Sequence, residues 1–319
     1  MPVEIDIEHL GTFKKRRDRT AELGHQPSRL NEDRRRYGKL SQWNQMDLNL
    51  GCEGFRDEGG GDLYFSLFDY IRQTALPGNS LKEAIGADFI STRRNLVTLS
   101  ASAFPGKPFQ IRALRKDGLI FLCDRTSEQE TSNTYAGGYK FEQYMTLDEN
   151  GDPHDDDEPV SNAECVKSVL RTTLESEGRE MKVFYAAELD GVDREGNLVE
   201  FKSTNLGYKT WLERLSRGHY LQSYFGDVSY IIKGLTTRDK IVFKVDKILV
   251  DEIPGMDVNW APETCFEQLF EILEEIKRRL ENDDEAVIIR SDGVNIYYEE
   301  EDASNCNFVD PEFLRHFYQ

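Results

Sequence analysis

Short stretches in which apolar and polar residues alternate dominate the second half of the chain, a pattern typical of half-buried β-strands. Residues 184–205, FYAAELDGVDREGNLVEFKSTN, predict two such strands joined by a polar turn around Glu195-Gly196. Residues 262–282 instead repeat apolar positions with a helical period, which predicts an amphipathic helix. Further strands are predicted at 228–235 and 240–253, and a hairpin at 285–300 around Asp292-Gly293.

The first half of the chain mixes the two periods. Residues 63–71 have helical spacing, whereas residues 109–125 predict a hairpin that turns at Lys116-Asp117-Gly118. Helices and strands therefore occur in both halves. The fold class predicted is α+β, with a mixed β-sheet core flanked by helices.

Two more helices are predicted on either side of the 184–205 stretch. Ser161 and Glu164 have the spacing of a capping box, so we expect a helix to begin there and to end near Gly178. Residues 209–225 have helical spacing, with a break predicted at Gly218. Both helices would flank the sheet.

The remaining segments bear on domain organisation. Residues 1–60 are rich in Arg, Gly and Asp with few periodic apolar positions, which predicts an irregular segment that wraps onto the body. Residues 152–158, DPHDDDE, predict an exposed loop because neighbouring like charges repel one another. No internal repeat is visible, and we predict a single domain over residues 1–319.

Composition narrows the class of protein. With 38% hydrophobic and 11% aromatic residues, a 319-residue chain can bury a substantial core. A net charge of −19 opposes nonspecific attraction to nucleic acid or an anionic membrane, but it allows a local basic cleft. Five dispersed cysteines without a C-x-x-C pair indicate neither a disulfide framework nor a structural zinc site.

An intracellular location is expected from the sequence. The chain has no signal-peptide core and no apolar run of about 18 residues, so secretion and membrane spanning are not expected. The basic run Lys14-Lys15-Arg16-Arg17 leaves nucleus and cytoplasm both open. We expect a monomer.

The 184–205 stretch carries an unusual set of charges for a hairpin. If its turn centres on Glu195-Gly196, Asp190 lies opposite Glu200 and Glu188 opposite Lys202, with facing Cβ atoms about 5 Å apart. Opposed carboxylates are destabilising unless a proton or a cation lies between them. A solvated charged hairpin is the alternative, and a metal site is favoured.

Oxygen ligands of this kind favour Mg²⁺ or Mn²⁺, and a neighbouring lysine can hold a phosphate oxygen or help to deprotonate a water. An acid, a spacer and an acid-x-lysine unit on paired strands form the arrangement of the PD-(D/E)xK nuclease class. Asp190 with Glu200-Phe201-Lys202 fits that arrangement. Phosphodiester hydrolysis is the chemistry predicted.

Several ordered motifs between Phe89 and Phe225 resemble the eukaryotic decapping exoribonuclease family, known as DXO or Dom3Z, with related decapping proteins in fungi. They are AGGYKFEQYMT with Gly138, Lys140 and Glu142; AELD with Glu188 and Asp190; VEFK with Glu200 and Lys202; YLQS with Gln222; and FISTRRNL with the motif arginine. The family usually has Trp-Arg-Gly where this chain has Thr92-Arg93-Arg94, so Arg93 is favoured and Arg94 stays open.

The resemblance implies two mixed sheets with a deep pocket at the carboxylates. It implies that one or two Mg²⁺ or Mn²⁺ ions are held by Glu142, Glu188, Asp190, Glu200 and the carbonyl of Phe201. It also implies a catalytic set of Glu188, Asp190, Glu200, Lys202 and Gln222, and a substrate-binding set of Arg93, Lys140, Lys202 and Gln222.

The function implied is metal-dependent hydrolysis at RNA 5′ ends. Such enzymes remove incomplete or non-standard caps, including NAD-type caps, and 5′ triphosphate, and several degrade RNA in the 5′–3′ direction. The alternatives are a noncatalytic partner that stabilises a larger 5′–3′ exoribonuclease, and a DNA nuclease of the same metal-site class. A basic cleft would offset the acidic net charge, with candidates Arg93, Arg94, Arg112, Arg115, Lys140, Lys202 and Lys209.

Each of the five histidines is isolated in sequence, so a surface or structural role is expected for all of them rather than catalysis.

Overall fold

The computed structural model describes residues 2–58, 62–76, 78–124 and 136–318 of the chain. The three consecutive glycines at 59–61, whose sequence predicts a flexible loop, lie outside these residues. The strands are β1 (Glu4–Lys15), β2 (Ala21–Leu23), β3 (Gly38–Lys39), β4 (Met46–Asp47), β5 (Phe89–Thr92), β6 (Phe109–Lys116), β7 (Leu119–Cys123), β8 (Cys165–Ser176), β9 (Arg179–Glu188), β10 (Gly191–Val192), β11 (Leu198–Thr204), β12 (Tyr230–Thr236), β13 (Ile241–Leu249), β14 (Ala286–Ser291) and β15 (Ile296–Glu301).

The helices separate the strands along the chain. They are α1 (Phe65–Thr74), α2 (Leu81–Ile85), α3 (Arg93–Ala101), α4 (Ala136–Met145), α5 (Tyr208–Arg214), α6 (Ser216–Tyr224), α7 (Pro262–Arg279) and α8 (Pro311–Arg315), with short 3₁₀ turns at Arg34–Arg36, Val250–Gly255, Ala303–Asn305 and His316–Tyr318. Among the described residues, no helix combines the length and the apolar character needed to cross a membrane.

The strands of the described residues form two mixed sheets. The larger has the order β15-β14-β6-β7-β5-β9-β8-β1-β2, and the smaller has the order β10-β11-β12-β13-β3, with β4 on β13. Parallel pairs join β5 to β7 and β9, and β11 to β12. The predicted α+β class with a mixed sheet core flanked by helices is confirmed.

The largest apolar cluster joins the two sheets. Helices α3, α6 and α7 contribute residues such as Leu96, Leu221 and Leu269, and they pack with Tyr185 of the larger sheet and Ile231 of the smaller one. On the other side of the smaller sheet, α4 packs Phe141 against Phe201 of β11, with the rings edge to face at 6.2 Å. Burial of these aromatic side chains fixes where α4 lies.

Local patterns predicted several elements correctly. The hairpin at 109–125 is β6–β7, and it turns at Asp117 and Gly118 with positive φ angles of 54° and 72°. Such angles are those of a type I′ turn, which Asp-Gly sequences favour. The hairpin at 285–300 is β14–β15, and the amphipathic helix is α7.

The predicted helix from Ser161 to Gly178 is wrong, because this segment forms β8. Ser161 accepts a hydrogen bond from the Ala163 amide at 3.3 Å, so it stabilises a turn and does not cap a helix. Glu164 forms an ion pair with Lys14 of β1 at 2.9 Å. The β-branched residues that follow suit a strand that is paired with β1 on one side and β9 on the other.

The N-terminal segment is not irregular throughout, because residues 4–15 form β1. Ile5 and Ile7 alternate with acidic residues, and the strand pairs with β8 over most of its length. The remainder up to residue 58 is mainly loop, and it contacts the smaller sheet through a bridge between Arg29 and Val192.

The predicted break at Gly218 is also displaced. The helix is interrupted at Leu215, and Gly218 lies inside α6. Ser216 donates from its hydroxyl to the Leu212 carbonyl at 2.5 Å and accepts from the Trp260 indole at 2.9 Å. These two bonds fix the junction between α5 and α6.

Gly234 of β12 allows the close approach of α4. A Cβ atom at this position would lie 2.8 Å from the ring of Phe141. We therefore expect Gly234→Ala to lower the free energy of unfolding by about 1–3 kcal/mol through overpacking, measured by urea denaturation. Gly218→Ala is the matched control, since a Cβ there meets nothing within 4 Å and alanine favours helix. Equal stability of the two variants would contradict this view of the α4 contact.

Candidate active site

A cavity of about 490 Å³ opens where the two sheets meet helices α3, α4 and α6. Four carboxylates and two basic side chains share its wall, so two negative charges are in excess when all are ionised. The carboxylates are Glu142, Glu188, Asp190 and Glu200, and the basic residues are Arg93 and Lys202. Gln222, His219, Tyr139 and Phe201 also line the cavity, with Gly138 and Ser203.

Each sheet contributes carboxylates to the cavity. Glu188 is the last residue of β9 and pairs with Lys167 of β8 in the larger sheet. After Leu189 and Asp190 the chain enters the smaller sheet as β10, which pairs with β11. The prediction of one continuous hairpin over 184–205 is therefore wrong, because β9 and β11 lie in different sheets.

The predicted register within the shorter hairpin is confirmed. Gly191 pairs with Val199 and Val192 with Leu198, and the same register continued by one residue sets Asp190 opposite Glu200. Asp190 Oδ2 accepts the backbone N–H of Phe201 at 2.9 Å. The opposition of Glu188 and Lys202 does not occur as strand pairing, because Glu188 belongs to the larger sheet.

Helices supply the other polar groups. Thr92 ends β5 and caps α3 by accepting the Asn95 amide at 3.2 Å, which makes Arg93 the first residue of the helix. Gln222 lies in the last turn of α6, and Glu142 lies in α4.

Glu200 is the most strongly coordinated carboxylate of the cavity. Its Oε2 accepts from Arg93 at 3.1 Å, and its Oε1 accepts from Gln222 at 2.6 Å and also from Lys202. Burial by itself would raise the pKa of Glu200, but Lys202 and Arg93 hold it below its ordinary value. Glu200 is therefore ionised and fully paired.

Glu142 and Asp190 have no such cation pair. Desolvation, followed by the charges of Asp190 and Glu188, raises the pKa of Glu142 well above its ordinary value. Desolvation, followed by the charge of Glu200, likewise raises the pKa of Asp190. Entry of another cation into the cavity would stabilise the ionised forms of both groups.

The chemistry of this donor set fits a hard divalent cation, since its ligands would be carboxylate oxygens and the Phe201 carbonyl. Among the described residues, no group of three or more His, Cys, Asp or Glu is gathered closely enough to hold an ion in the present arrangement. Glu200 already accepts hydrogen bonds from three donors. To coordinate an ion, Glu200 would have to give up one of these donors; otherwise water would have to complete the coordination of the ion.

Not every predicted residue lies in the cavity. The side chain of Lys140 is fully buried, and its ammonium donates to Gln143 at 3.0 Å and to the Glu158 carbonyl at 3.3 Å. Its predicted contact with substrate is therefore at odds with its position. Of the two candidate motif arginines, Arg93 lines the cavity, whereas Arg94 pairs with Asp124 at 3.0 Å.

Fewer of the predicted basic residues line the main cavity than expected from the sequence. Arg112 pairs with Glu301 and Arg115 donates to the Leu280 carbonyl, while Lys209 is exposed beside Glu213. Arg93 and Lys202 are the candidates that line the main cavity. A second cavity of about 230 Å³ shares Arg93 and Glu188 with the first, and its lining includes Arg94 and Lys167.

Three cavity residues, Tyr139, Ser203 and His219, were missed by the sequence analysis. Tyr139 precedes Lys140, and its hydroxyl accepts from Asn162 at 3.1 Å. His219 precedes Gln222 by three residues, which places both on one face of α6. Helical spacing from Gln222 could have identified His219.

The chain is similar to known proteins along nearly its whole length. The family model described as RAI1 like PD-(D/E)XK nuclease matches residues 8–314. Decapping nuclease dom-3 of Caenorhabditis elegans is 31% identical over 325 residues, which cover 94% of this chain and 81% of that protein.

Solved structures with the same fold are found among fungal proteins. Rai1 of Scheffersomyces stipitis in complex with (3′-NADP)⁺ and calcium ion has a TM-score of 0.78 at 16% identity, covering 99% of this chain and 97% of that one. Rai1 of Candida albicans in complex with pU5-Mn²⁺ has a TM-score of 0.75 at 16% identity, covering 99% and 96%. The resemblance seen in the sequence motifs is confirmed: the chain belongs to the RAI1-like PD-(D/E)XK nuclease family of hydrolases.

Proposed function

We propose that this protein is a divalent-metal-dependent hydrolase of RNA 5′ ends, which removes incomplete or non-standard caps, including NAD-type caps, and 5′ triphosphate. It would then degrade the exposed RNA in the 5′–3′ direction. The observation that carries the proposal is the excess of two negative charges in a cavity where Glu142 and Asp190 have raised pKa values. A cation that displaces the protons of these two carboxylates would be held by them and could in turn bind a phosphate oxygen.

The relatives support RNA as the substrate class. One is named a decapping nuclease, and a structure with the same fold contains pU5 with Mn²⁺. Another contains (3′-NADP)⁺ with calcium ion, which supports dinucleotide-type ends. We propose Mg²⁺ or Mn²⁺ as the cofactor, with one or two ions.

The residues that would hold the metal are Glu142, Glu188, Asp190, Glu200 and the carbonyl of Phe201. The bound metal would supply Lewis-acid stabilisation and a more acidic water. Lys202 and Arg93 both pair with Glu200 in this structure. If Glu200 held a cation instead, both basic groups could bind substrate phosphate.

Lys202 and Gln222 have distinct roles in this proposal. Both donate to Glu200 Oε1, so both point at the place where the carboxylates meet. The ammonium of Lys202 stabilises charge that develops on the scissile phosphate or orients the attacking water. The Gln222 amide positions the same phosphate without adding charge.

The site assignment can be tested with Glu188→Gln combined with Asp190→Asn. These amides keep the side-chain volume, and the carboxamide introduced by Asp190→Asn retains an acceptor for the Phe201 amide. We expect Mn²⁺-dependent release from 5′-triphosphate or NAD-capped RNA to fall by at least about 100-fold, measured as products resolved by mass.

The matched control is Asp156→Asn with Asp157→Asn, two exposed carboxylates of the acidic loop that should leave the rate unchanged. Retained activity of the double cavity variant would refute the assignment. If the wild-type protein has no turnover on any RNA end but copurifies with a 5′–3′ exoribonuclease, the noncatalytic alternative is correct.

RNA preference is a separate prediction. Single-stranded RNA and DNA of the same sequence, each with a 5′ phosphate, should be compared under the same Mn²⁺ concentration. We expect RNA to be cleaved at least about tenfold faster, a difference of roughly 1.4 kcal/mol in barrier. A clear DNA preference would overturn the RNA proposal while leaving nuclease chemistry in place.

Metal binding should depend on pH in a defined direction. The folded-state pKa values of Glu142 and Asp190 are raised above the ordinary values of 4.5 and 3.8, so their protons stabilise the metal-free fold at low pH. That contribution is lost as pH rises through the folded-state pKa values. A cation must displace these protons, so it should bind more tightly at pH 8 than at pH 5.5.

We therefore expect Mn²⁺ to raise the midpoint of thermal unfolding more at pH 8 than at pH 5.5. A Mn²⁺ concentration of 100 times the dissociation constant would stabilise the fold by about 2.7 kcal/mol. Glu142→Gln should reduce both the shift and its pH dependence. The exposed Asp156→Asn serves as control. An equal shift at both pH values would contradict proton-coupled metal binding at these carboxylates.

A further inference from the structure

His219 projects from the cavity face of α6, one helical turn before Gln222. Residues three apart on a helix are neighbours on its surface, and both side chains line the cavity that contains the carboxylates. His219 is half-buried, so part of its ring contacts protein and part faces the open space.

A buried tryptophan determines which nitrogen of the ring carries the proton. The indole N–H of Trp211 donates to His219 Nδ1 at 3.0 Å. Because an indole nitrogen only donates, Nδ1 must offer a lone pair, and the proton of the neutral ring resides on Nε2. Burial, followed by the charge of Lys202, lowers the pKa of His219 to about 3, which keeps the ring neutral at physiological pH.

The tryptophan is itself held in place. Trp211 is fully buried in α5, and the ammonium of Lys233 lies 4.4 Å from its ring centroid. Tyr208 stacks on the same indole at 6.3 Å. The orientation of the His219 ring is therefore fixed by packed neighbours on the side away from the cavity.

The second nitrogen has no such partner. Within the part of the chain that the structure describes, no hydrogen bond of His219 Nε2 is found. The carboxylate that other cavity donors share, Glu200, already accepts from Arg93, Lys202 and Gln222. A preoriented N–H donor thus faces a cavity in which the protein does not supply its acceptor.

We propose that His219 binds substrate directly, donating its Nε2–H to a nonbridging phosphate oxygen of the RNA beside the phosphate held by Gln222. This inference rests on the proposed function. Phosphate is the acceptor class favoured, because Arg93, Lys202 and Gln222 present donors to the same space. As a neutral donor, His219 would bind phosphate without forming an ion pair with the cavity carboxylates.

A purely structural role for His219 would require only the Nδ1 contact with Trp211. Two amide substitutions distinguish the role of Nδ1 from the role of Nε2. The amide of His219→Asn lies near the position of Nδ1, so its oxygen can accept from Trp211 while the donor at the Nε2 position is lost. The longer amide of His219→Gln reaches the Nε2 position and can replace that donor.

The experiment measures kcat and KM of the Mn²⁺-loaded full-length protein on a 5′-phosphorylated oligoribonucleotide, with the midpoint of thermal unfolding measured in parallel. We expect His219→Asn to lower kcat/KM about 10- to 100-fold, the effect of losing one hydrogen bond to a charged group. Its unfolding midpoint should match that of the wild type. His219→Gln should recover most of the kcat/KM, and the remote variant His25→Asn should change nothing.

Other results would overturn the inference. Wild-type kcat/KM in His219→Asn would show that the donor is not used, while leaving the proposed function intact. Equal losses of activity in the Asn and Gln variants, accompanied by lower unfolding midpoints, would assign His219 a structural role only. Absence of RNA hydrolysis by the wild-type protein would overturn the proposed function itself.

Discussion

The pairing of Glu200 with three donors is the interaction on which the organisation of the site depends. A carboxylate with 2% side-chain exposure is costly to bury unless its charge is compensated by cations and hydrogen bonds. Arg93 from α3, Lys202 from the same strand and Gln222 from α6 provide that compensation. The start of α3, the middle of β11 and the end of α6 are thereby held at one point. The charges of Glu142 and Asp190 are less compensated, which is why we propose these two carboxylates as cation ligands.

Elements that are determined by local sequence could be predicted, and elements that depend on distant partners could not. The hairpin at Asp117-Gly118 follows from the backbone angles that this dipeptide favours. The segment at 165–176 carries a helix-like start signal at Ser161, yet it forms β8 because β1 and β9 pair with it from both sides. Pairing with β1, which lies far away in sequence, has no signature in the segment itself. The turn at Glu177 and Gly178 that joins β8 to β9 is local, but Gly178 was interpreted from the sequence as the end of a helix.

The candidate site was predictable to a similar degree. The opposition of Asp190 and Glu200 was predicted because a short turn sets it, whereas the placement of Glu188 in the other sheet depends on β8. Lys140 and Glu142 were both expected at the site. Residues two apart on a helix point about 200° apart, so once α4 is recognised as helical only one of them can face the cavity.

The passage of the chain from one sheet to the other has a mechanical consequence. Glu188 and Asp190 are two residues apart, yet each moves with a different sheet, while Leu189 between them is buried. The distance between their carboxylates therefore depends on how the two sheets pack against each other. Substitutions in the apolar layer between the sheets would alter the distance between these two carboxylates, and so the fit of an ion between them, without changing either proposed ligand.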